Sequence, residues 1–126
     1  MTQRSVLDNP PDLASALGHA IGLLRAEQIG PAEAALNQVL ARWPAEPNAL
    51  HFLGVLRHTQ GRVDEAVALI RESLAALPDN AGAWNNLGNV QLAAGRLEAA
   101  LAAYEQGVAM AAPGQPGVVE ALNNLG

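Results

Sequence analysis

Apolar residues recur every three or four positions in successive stretches of the chain, and glycine or proline separates one stretch from the next. This spacing places the apolar side chains on one face of an α-helix. Alanine and leucine dominate the composition and β-branched runs are few, which also favours helices. The first two stretches contain Leu13, Ala16, Leu17, Ala20, Leu23 and Leu24, followed by Leu36, Val39 and Leu40.

Residues typical of helix ends stand between the apolar stretches. Pro10-Pro11-Asp12 precedes the first predicted helix, Gly30-Pro31 opens the second, and Pro44 stops it. Glu46-Pro47 starts the next helix, and Asp79-Asn80 offers an N-cap for a later one. The pattern therefore predicts an all-α chain of consecutive short helices.

The apolar and glycine positions repeat with a period of 34 residues. The first set is Leu53-Gly54, Gly61 and Ala66, and the second set is Leu87-Gly88, Gly95 and Ala100. Leu50 with Trp84, Ile70 with Tyr104, Leu74 with Val108 and Arg62 with Arg96 match at the same offset. A period of this length, with one central glycine between two helical patterns, resembles the tetratricopeptide repeat. The resemblance implies a right-handed superhelical solenoid of antiparallel helix pairs.

The repeat register divides the chain into a tail and one domain. We expect a flexible N-terminus over residues 1–10 and a tetratricopeptide domain over residues 11–126. The predicted repeats cover residues 13–46, 47–80 and 81–114, followed by a partial repeat over residues 115–126. The first repeat is degenerate, because Ala20 and Glu27 stand where the later repeats have glycine. Asn123-Asn124-Leu125-Gly126 repeats Asn85-Asn86-Leu87-Gly88, so we expect the natural protein to continue beyond Gly126.

Two pairs of glycines have different predicted roles. Gly54 and Gly88 lie inside predicted helices, where glycine costs about 1 kcal/mol relative to alanine. We therefore expect a neighbouring helix to approach closely at both positions. Gly61 and Gly95 lie between the two helices of a repeat, where a residue with positive φ is often needed.

The charge pattern and the missing cysteines exclude several classes of function. Twelve acidic residues outnumber seven arginines, the chain has no lysine, and the net charge of -5 is spread along the chain. Nucleic acid is therefore not an expected partner, because it requires clustered cations. Without cysteine there is no disulfide and no thiolate metal site. No signal peptide and no apolar run of roughly 20 residues are present, so we expect no membrane partner and a cytoplasmic location.

No set of residues has the spacing of a catalytic or metal site. His51 and His58 lie two helical turns apart, whereas chelation from one helix usually needs a spacing of three or four residues. Asp64 and Glu65 point to different sides of a helix and suit the dipole at its N-terminus. We therefore predict no enzyme activity, no catalytic or metal-binding residue and no cofactor for this chain.

In the tetratricopeptide family the opening helix of each repeat lines a concave groove, and the resemblance implies that this groove binds a protein or peptide segment. Leucine and glycine of these helices face the core, so the intervening residues face elsewhere. The predicted groove residues are His51, Phe52, Val55, His58, Thr59, Asn85, Asn86, Asn89, Leu92, Asn123 and Asn124. The chain is therefore predicted to be an interaction scaffold that docks an extended segment.

Asparagine recurs in the predicted groove although it is a poor helix former. An amide side chain both donates and accepts hydrogen bonds, so Asn86 and Asn124 can bind the backbone of an extended peptide without reading its sequence. The arrangement resembles the asparagine ladder of O-linked N-acetylglucosamine transferases. The alternative is that these asparagines are ordinary solvated residues that bond locally.

Two further functions stay open from the sequence. The chain resembles the repeats that precede the catalytic domain in bacterial glycosyltransferases and sulfotransferases, so it is a candidate recognition arm of a larger enzyme. It is also a candidate homo-oligomerisation module, because the opening helix of the partial repeat lacks a partner helix. The apolar stripe of that helix either frays or pairs two copies, and it contains Val118, Val119, Leu122 and Leu125.

Overall fold

A computed structural model of the protein describes residues 12–111, which form six α-helices. The helices are α1 (Leu13–Arg25), α2 (Ile29–Arg42), α3 (Pro47–Thr59), α4 (Val63–Ala76), α5 (Ala81–Ala93) and α6 (Leu97–Met110). The described residues contain no strand, so the predicted all-α fold is confirmed. The predictions of a flexible segment over residues 1–10 and of a partial repeat over residues 115–126 lie outside the described residues. The repeat boundaries stay a prediction.

The helices pack in consecutive pairs, α1 with α2, α3 with α4 and α5 with α6. Each pair contacts the next through α2 with α3 and through α4 with α5. In addition, α1 contacts α3 and α3 contacts α5, whereas between residues 12 and 111 the backbones of α2, α4 and α6 do not approach one another. We therefore call α1, α3 and α5 the inner helices and α2, α4 and α6 the outer helices of a stacked helical solenoid.

Each inner helix begins at an N-cap side chain that accepts a hydrogen bond from the backbone three residues later. The pairs are Asp12 with Ser15 N (2.8 Å), Glu46 with Ala49 N (2.7 Å) and Asn80 with Ala83 N (3.2 Å). Each bond satisfies an N–H group that has no partner inside the helix. Pro47 follows as the first helical residue of α3, so the predicted starts at Glu46-Pro47 and at Asn80 are confirmed.

The core consists of two clusters, each of which joins consecutive helix pairs. The N-terminal cluster is Ala20, Ala32, Leu36, Val39, Ala49, Leu53 and Leu56. The C-terminal cluster is Ala66, Val67, Ile70, Leu74, Ala83, Leu87, Val90 and Ala103. Because the apolar side chains of one pair are buried against the next pair, hydrophobic burial fixes the stacking of the pairs as well as their internal packing.

Gly54 and Gly88 allow the close packing that the sequence predicts. A Cβ atom at Gly54 would lie 2.7 Å from Cγ1 of Ile70 on α4. A Cβ atom at Gly88 would overlap the ring of Tyr104 on α6. Both approaches are closer than normal van der Waals contact. The inner and outer helices of these pairs therefore meet at positions that have no room for a side chain.

The turns inside the three helix pairs share one backbone conformation. Gly61 and Gly95 have φ of +78°, as predicted from their position between two helices. Glu27 occupies the equivalent turn of the first pair and has φ of +60°. This conformation brings a Cβ atom close to the following carbonyl oxygen, so it costs roughly 1 to 2 kcal/mol for any residue other than glycine.

Replacing Glu27 with glycine is expected to stabilise the protein by about 1 kcal/mol, because glycine adopts this φ without the Cβ clash. The side chain of Glu27 is exposed, so few contacts are lost. The free energy of unfolding from urea titration measures the effect. The control is Glu27→Ala, which keeps the Cβ atom and should change stability by less than about 0.5 kcal/mol. Equal effects of the two substitutions would contradict backbone strain at this turn.

The two tryptophans cover opposite ends of the core. Trp84 packs against the C-terminal cluster, and its Nε1 donates a hydrogen bond to the carbonyl oxygen of Pro78 at 2.8 Å. Trp43 is the C-cap residue of α2 and packs against the N-terminal cluster. The guanidinium carbon of Arg42 lies 4.8 Å from the centroid of the Trp43 ring, in a cation–π contact.

Candidate functional site

The predicted groove residues that the structure describes all lie on α3 and α5. We call the surface formed by these positions and by the matching face of α1 the candidate groove. His51 and Asn85 are buried in it, Thr59 and Leu92 are exposed, and the half-buried members are Phe52, Val55, His58, Asn86 and Asn89. Asn123 and Asn124 lie outside the described residues.

One hydrogen bond connects the two inner helices of the groove. Nδ2 of Asn86 on α5 lies 2.7 Å from Nε2 of His51 on α3. The two residues are 35 positions apart, so the bond joins consecutive repeats. His51 also stacks on its neighbour Phe52, with a distance of 5.1 Å between the ring centroids.

Burial determines the charge of His51. The residue is only 7% exposed, and this desolvation lowers the pKa of the imidazole from 6.5 to about 4. The ring is therefore neutral at neutral pH. A neutral imidazole has one acceptor nitrogen, so Nε2 accepts from the Asn86 amide while Nδ1 carries the hydrogen.

A second hydrogen bond anchors the groove to the outer layer. The hydroxyl group of Tyr104 on α6 donates to Oδ1 of Asn89 on α5 at 2.7 Å. Tyr104 is 3% exposed, so its ring has little room to move and its hydroxyl group holds the Asn89 amide in one orientation. This bond uses the carbonyl oxygen of Asn89 and leaves the amide hydrogens to other partners.

The remaining predicted positions differ in how much surface they offer. Asn85 is 5% exposed and has an interaction partner, so its side chain belongs to the interior. The hydroxyl group of Thr59 donates to the carbonyl oxygen of Leu56 at 2.7 Å, at the end of α3. Leu92 is 47% exposed and Val55 is half-buried, so both present apolar surface.

The sequence prediction named no residue of α1 in the candidate groove. Leu17, Ile21 and Leu24 stand 34 residues before His51, Val55 and His58, and all three are half-buried. Counting the repeat period back from α3 would have identified them. With these residues, the groove is apolar on α1, mixed on α3 and rich in amides on α5.

The acidic residues of the six helices all lie in the outer layer, whereas arginines occur in both layers. The inner helices contain no acidic residue, and their two arginines are Arg25 and Arg57. The outer helices carry Glu33, Asp64, Glu65, Glu72, Glu98 and Glu105. The guanidinium group of Arg57 pairs with Glu33 at 2.9 Å and with Glu65 at 3.4 Å, so its charge is directed towards the outer helices.

Residues 12–111 contain no group of three or more His, Cys, Asp or Glu side chains that could hold a metal ion. Within the same residues, no helix is long and apolar enough to cross a membrane. The candidate-groove positions are apolar side chains, amides, one hydroxyl group and two imidazoles.

Several solved structures have the same fold as this chain. Pseudomonas aeruginosa PilF is 22% identical with a TM-score of 0.83, over 90% of this chain and 50% of that chain. MamA is 18% identical with a TM-score of 0.79, over 95% of this chain and 68% of that chain. A mutant of Thermobaculum terrenum O-GlcNAc transferase is 28% identical with a TM-score of 0.78, over 97% of this chain and 23% of that chain.

A family model provides the assignment that the fold comparison does not. No curated protein sequence matches the chain significantly. The model of the tetratricopeptide repeat matches residues 17–81 and again residues 60–116, and together these ranges cover most of the chain. The chain belongs to the tetratricopeptide repeat family.

Proposed function

We propose that the candidate groove binds an extended segment of a partner protein, so that the chain acts as an interaction scaffold. The observation that carries the proposal is the His51–Asn86 bond, which places an amide group on the surface between two inner helices at 2.7 Å from a neutral imidazole. Membership of a repeat family built on stacked helices supports a scaffold role in general. A cytoplasmic location stays a prediction.

Asn86 has hydrogen-bonding capacity beyond its contact with His51. An amide side chain offers two donor hydrogens and an acceptor oxygen, and the contact with His51 uses one hydrogen. The other hydrogen and the oxygen suit the carbonyl and N–H groups of a peptide backbone. Asn86 is half-buried and held from one side, so little rotamer freedom is lost when a ligand binds.

The partition of charge indicates what kind of segment fits. The inner helices have no carboxylate that would repel an acidic segment and no lysine that would hold a terminal carboxylate. Apolar surface on α1 and α3 suits apolar side chains, and the amides on α5 suit backbone groups. We expect an uncharged segment whose apolar side chains contact Leu17, Ile21 and Phe52.

Replacing Asn86 with alanine is expected to weaken peptide binding two- to tenfold, because one net hydrogen bond contributes roughly 0.5 to 1.5 kcal/mol. The probe is the tightest 12-residue peptide selected on the wild-type protein from a random displayed library. Fluorescence anisotropy of that labelled peptide gives the dissociation constant. The control is Asn37→Ala, since Asn37 is an exposed asparagine of outer helix α2. Equal binding by wild type and Asn86→Ala would contradict the amide role.

A second candidate function is that of a recognition arm in a larger enzyme. The 28% identity with the Thermobaculum terrenum O-GlcNAc transferase supports it, since this chain matches 23% of that protein. The gene sequence beyond the codon for Gly126 tests the idea. A glycosyltransferase or sulfotransferase domain in the same reading frame would support it, and a nearby stop codon would exclude it.

Self-association is a third candidate. Leu101 on α6 is 51% exposed, whereas its counterpart Val67 on α4 is 7% exposed because α5 packs beside it. Val118, Val119, Leu122 and Leu125 lie outside the described residues.

If Val118, Val119, Leu122 and Leu125 pair two copies of the chain, light scattering across a concentration series is expected to give a dimer for the wild type. Leu122→Asp should give a monomer, because a buried carboxylate is costly at an apolar interface. Asn86→Ala is the control and should leave the mass unchanged. A wild-type monomer at every concentration would contradict self-association.

A further inference from the structure

An apolar slot lies at the N-terminal end of the solenoid, separate from the candidate groove. It is a cavity of about 410 Å³ between α1 and α2. Its lining includes Ala16 and His19 on α1, Ala35, Gln38, Val39 and Arg42 on α2, and Trp43 at the end of α2. None of these residues is a candidate-groove position on α3 or α5, so the slot does not rest on the proposed function.

In the third helix pair, the equivalent residues face the outer helix of the preceding pair. Ala16, His19, Ala35 and Gln38 stand 68 residues before Trp84, Leu87, Ala103 and Gln106, and this second set lines a crevice between α4, α5 and α6. There α4 contributes Leu74, which is buried in the C-terminal cluster with Leu87 and Ala103. In this fold, the slot is therefore the place where the preceding outer helix packs.

The repeat register continues on the N-terminal side of Asp12. Counting back 34 and 68 residues gives apolar residues from Leu74, prolines from Pro78 and helix N-cap residues from Asn80. The matched sets are Val6, Leu40 and Leu74, then Pro10, Pro44 and Pro78, then the helix N-caps Asp12, Glu46 and Asn80. Ser5 likewise precedes the buried Ser73 by 68 residues.

We propose that the slot binds residues 3–8 of the same chain, with Val6 in the position that Leu74 takes against α5 and α6. Six positions separate Val6 from the N-cap Asp12, and six separate Leu74 from the N-cap Asn80, so the connection has the length that the fold requires. Such a short tether gives the segment an effective concentration in the millimolar range. A second copy or another protein must compete with it.

Disulfide trapping tests which chain occupies the slot. The protein has no cysteine, so Val6→Cys combined with Ala35→Cys creates the only two thiols. The counterpart of Ala35 is Ala103, which lies in one cluster with Leu74, and we therefore expect a disulfide within one chain under mild oxidation. Val6→Cys with Ala94→Cys is the control, because Ala94 is exposed in the turn between α5 and α6. A disulfide that mainly joins two chains would overturn the proposal in favour of a second copy.

Trp43 gives a second measurement, because it lines the slot. In a Trp84→Phe background, Val6→Gly is expected to shift the fluorescence emission of Trp43 to longer wavelength, because the loss of the apolar side chain admits water to the slot. Arg4→Gly is the matched control, because its counterpart Glu72 is exposed. An emission spectrum that Val6→Gly leaves unchanged would overturn the proposal even if a disulfide forms.

Discussion

Replacing Gly88 with leucine is expected to lower the free energy of unfolding by about 3 kcal/mol, at the upper end of the cost of overpacking a core. A Cβ atom at this position would overlap Cδ1, Cε1 and Cζ of Tyr104. The ring has little freedom to move, because Tyr104 is 3% exposed and its hydroxyl group is bonded to Asn89. The leucine would therefore separate α5 from α6. Urea titration followed by circular dichroism measures the change.

Gly22 provides the matched control for this prediction. It also lies inside an inner helix, but a Cβ atom there would have no neighbour within 4 Å. Gly22→Ala should therefore stabilise the protein by about 1 kcal/mol through helix propensity alone. Opposite signs at the two glycines would establish that the close approach of Tyr104, and not the backbone, requires Gly88. Equal stability of Gly88→Leu and wild type would contradict the packing account.

Acidification is expected to destabilise the protein through His51. Burial lowers the pKa of His51 to about 4 in the folded protein, against 6.5 for an ordinary histidine. Between these values the unfolded chain binds a proton that the folded chain does not, so stability falls as the pH falls. Above pH 6.5 the neutral His51 does not reduce the free energy of unfolding. From pH 6.5 to pH 4 the free energy of unfolding falls by roughly 3 kcal/mol.

The variant His51→Gln separates this effect from other titrations. Glutamine keeps an acceptor for the Asn86 amide but does not titrate. Hydrogen bonds also lower the pKa of two carboxyl groups. The backbone N–H group of Ser15 is the main donor to Asp12, and the side chain of Gln60 is the main donor to Glu33. The carboxyl groups of Asp12 and Glu33 are present in the wild type and in His51→Gln. The difference between the two proteins in the pH dependence of the free energy of unfolding therefore isolates His51. A difference that is constant from pH 7 to pH 4 would contradict the buried neutral histidine.

The fold could be predicted from the sequence because one period sets both backbone and packing. Gly88 and Gly95 illustrate this point, since each occupies the same place in its repeat as Gly54 and Gly61. Gly54 and Gly88 permit close helix contact, and Gly61 and Gly95 permit positive φ. Glu27 was identified as a departure from the pattern, but its positive φ is not encoded in its own identity. The backbone N–H groups of Glu27 and Gln28 donate to the carbonyl oxygens of Leu24 and Leu23, as the equivalent groups do in the turn at Gly61, and these bonds hold the conformation.

The groove was harder to predict because its residues face a neighbouring repeat, and a period does not give the distance between repeats. His51 and Asn85 were predicted at the groove, and the structure places both almost out of reach of solvent. The Asn89 amide is held by Tyr104, a contact across 15 residues that depends on the ring lying over Gly88. Leu17 and Ile21 were omitted although the period places them 34 residues before His51 and Val55.

The separation of charge between inner and outer helices has a consequence for the kinetics of association. A groove without fixed carboxylates or lysines provides little long-range steering, so a neutral segment is expected to associate at the unassisted rate of about 10⁵ to 10⁶ M⁻¹s⁻¹. That rate should change little with ionic strength, since screening acts on charges that the encounter does not use. The acidic outer helices, in contrast, make neighbouring molecules repel one another most strongly in dilute salt.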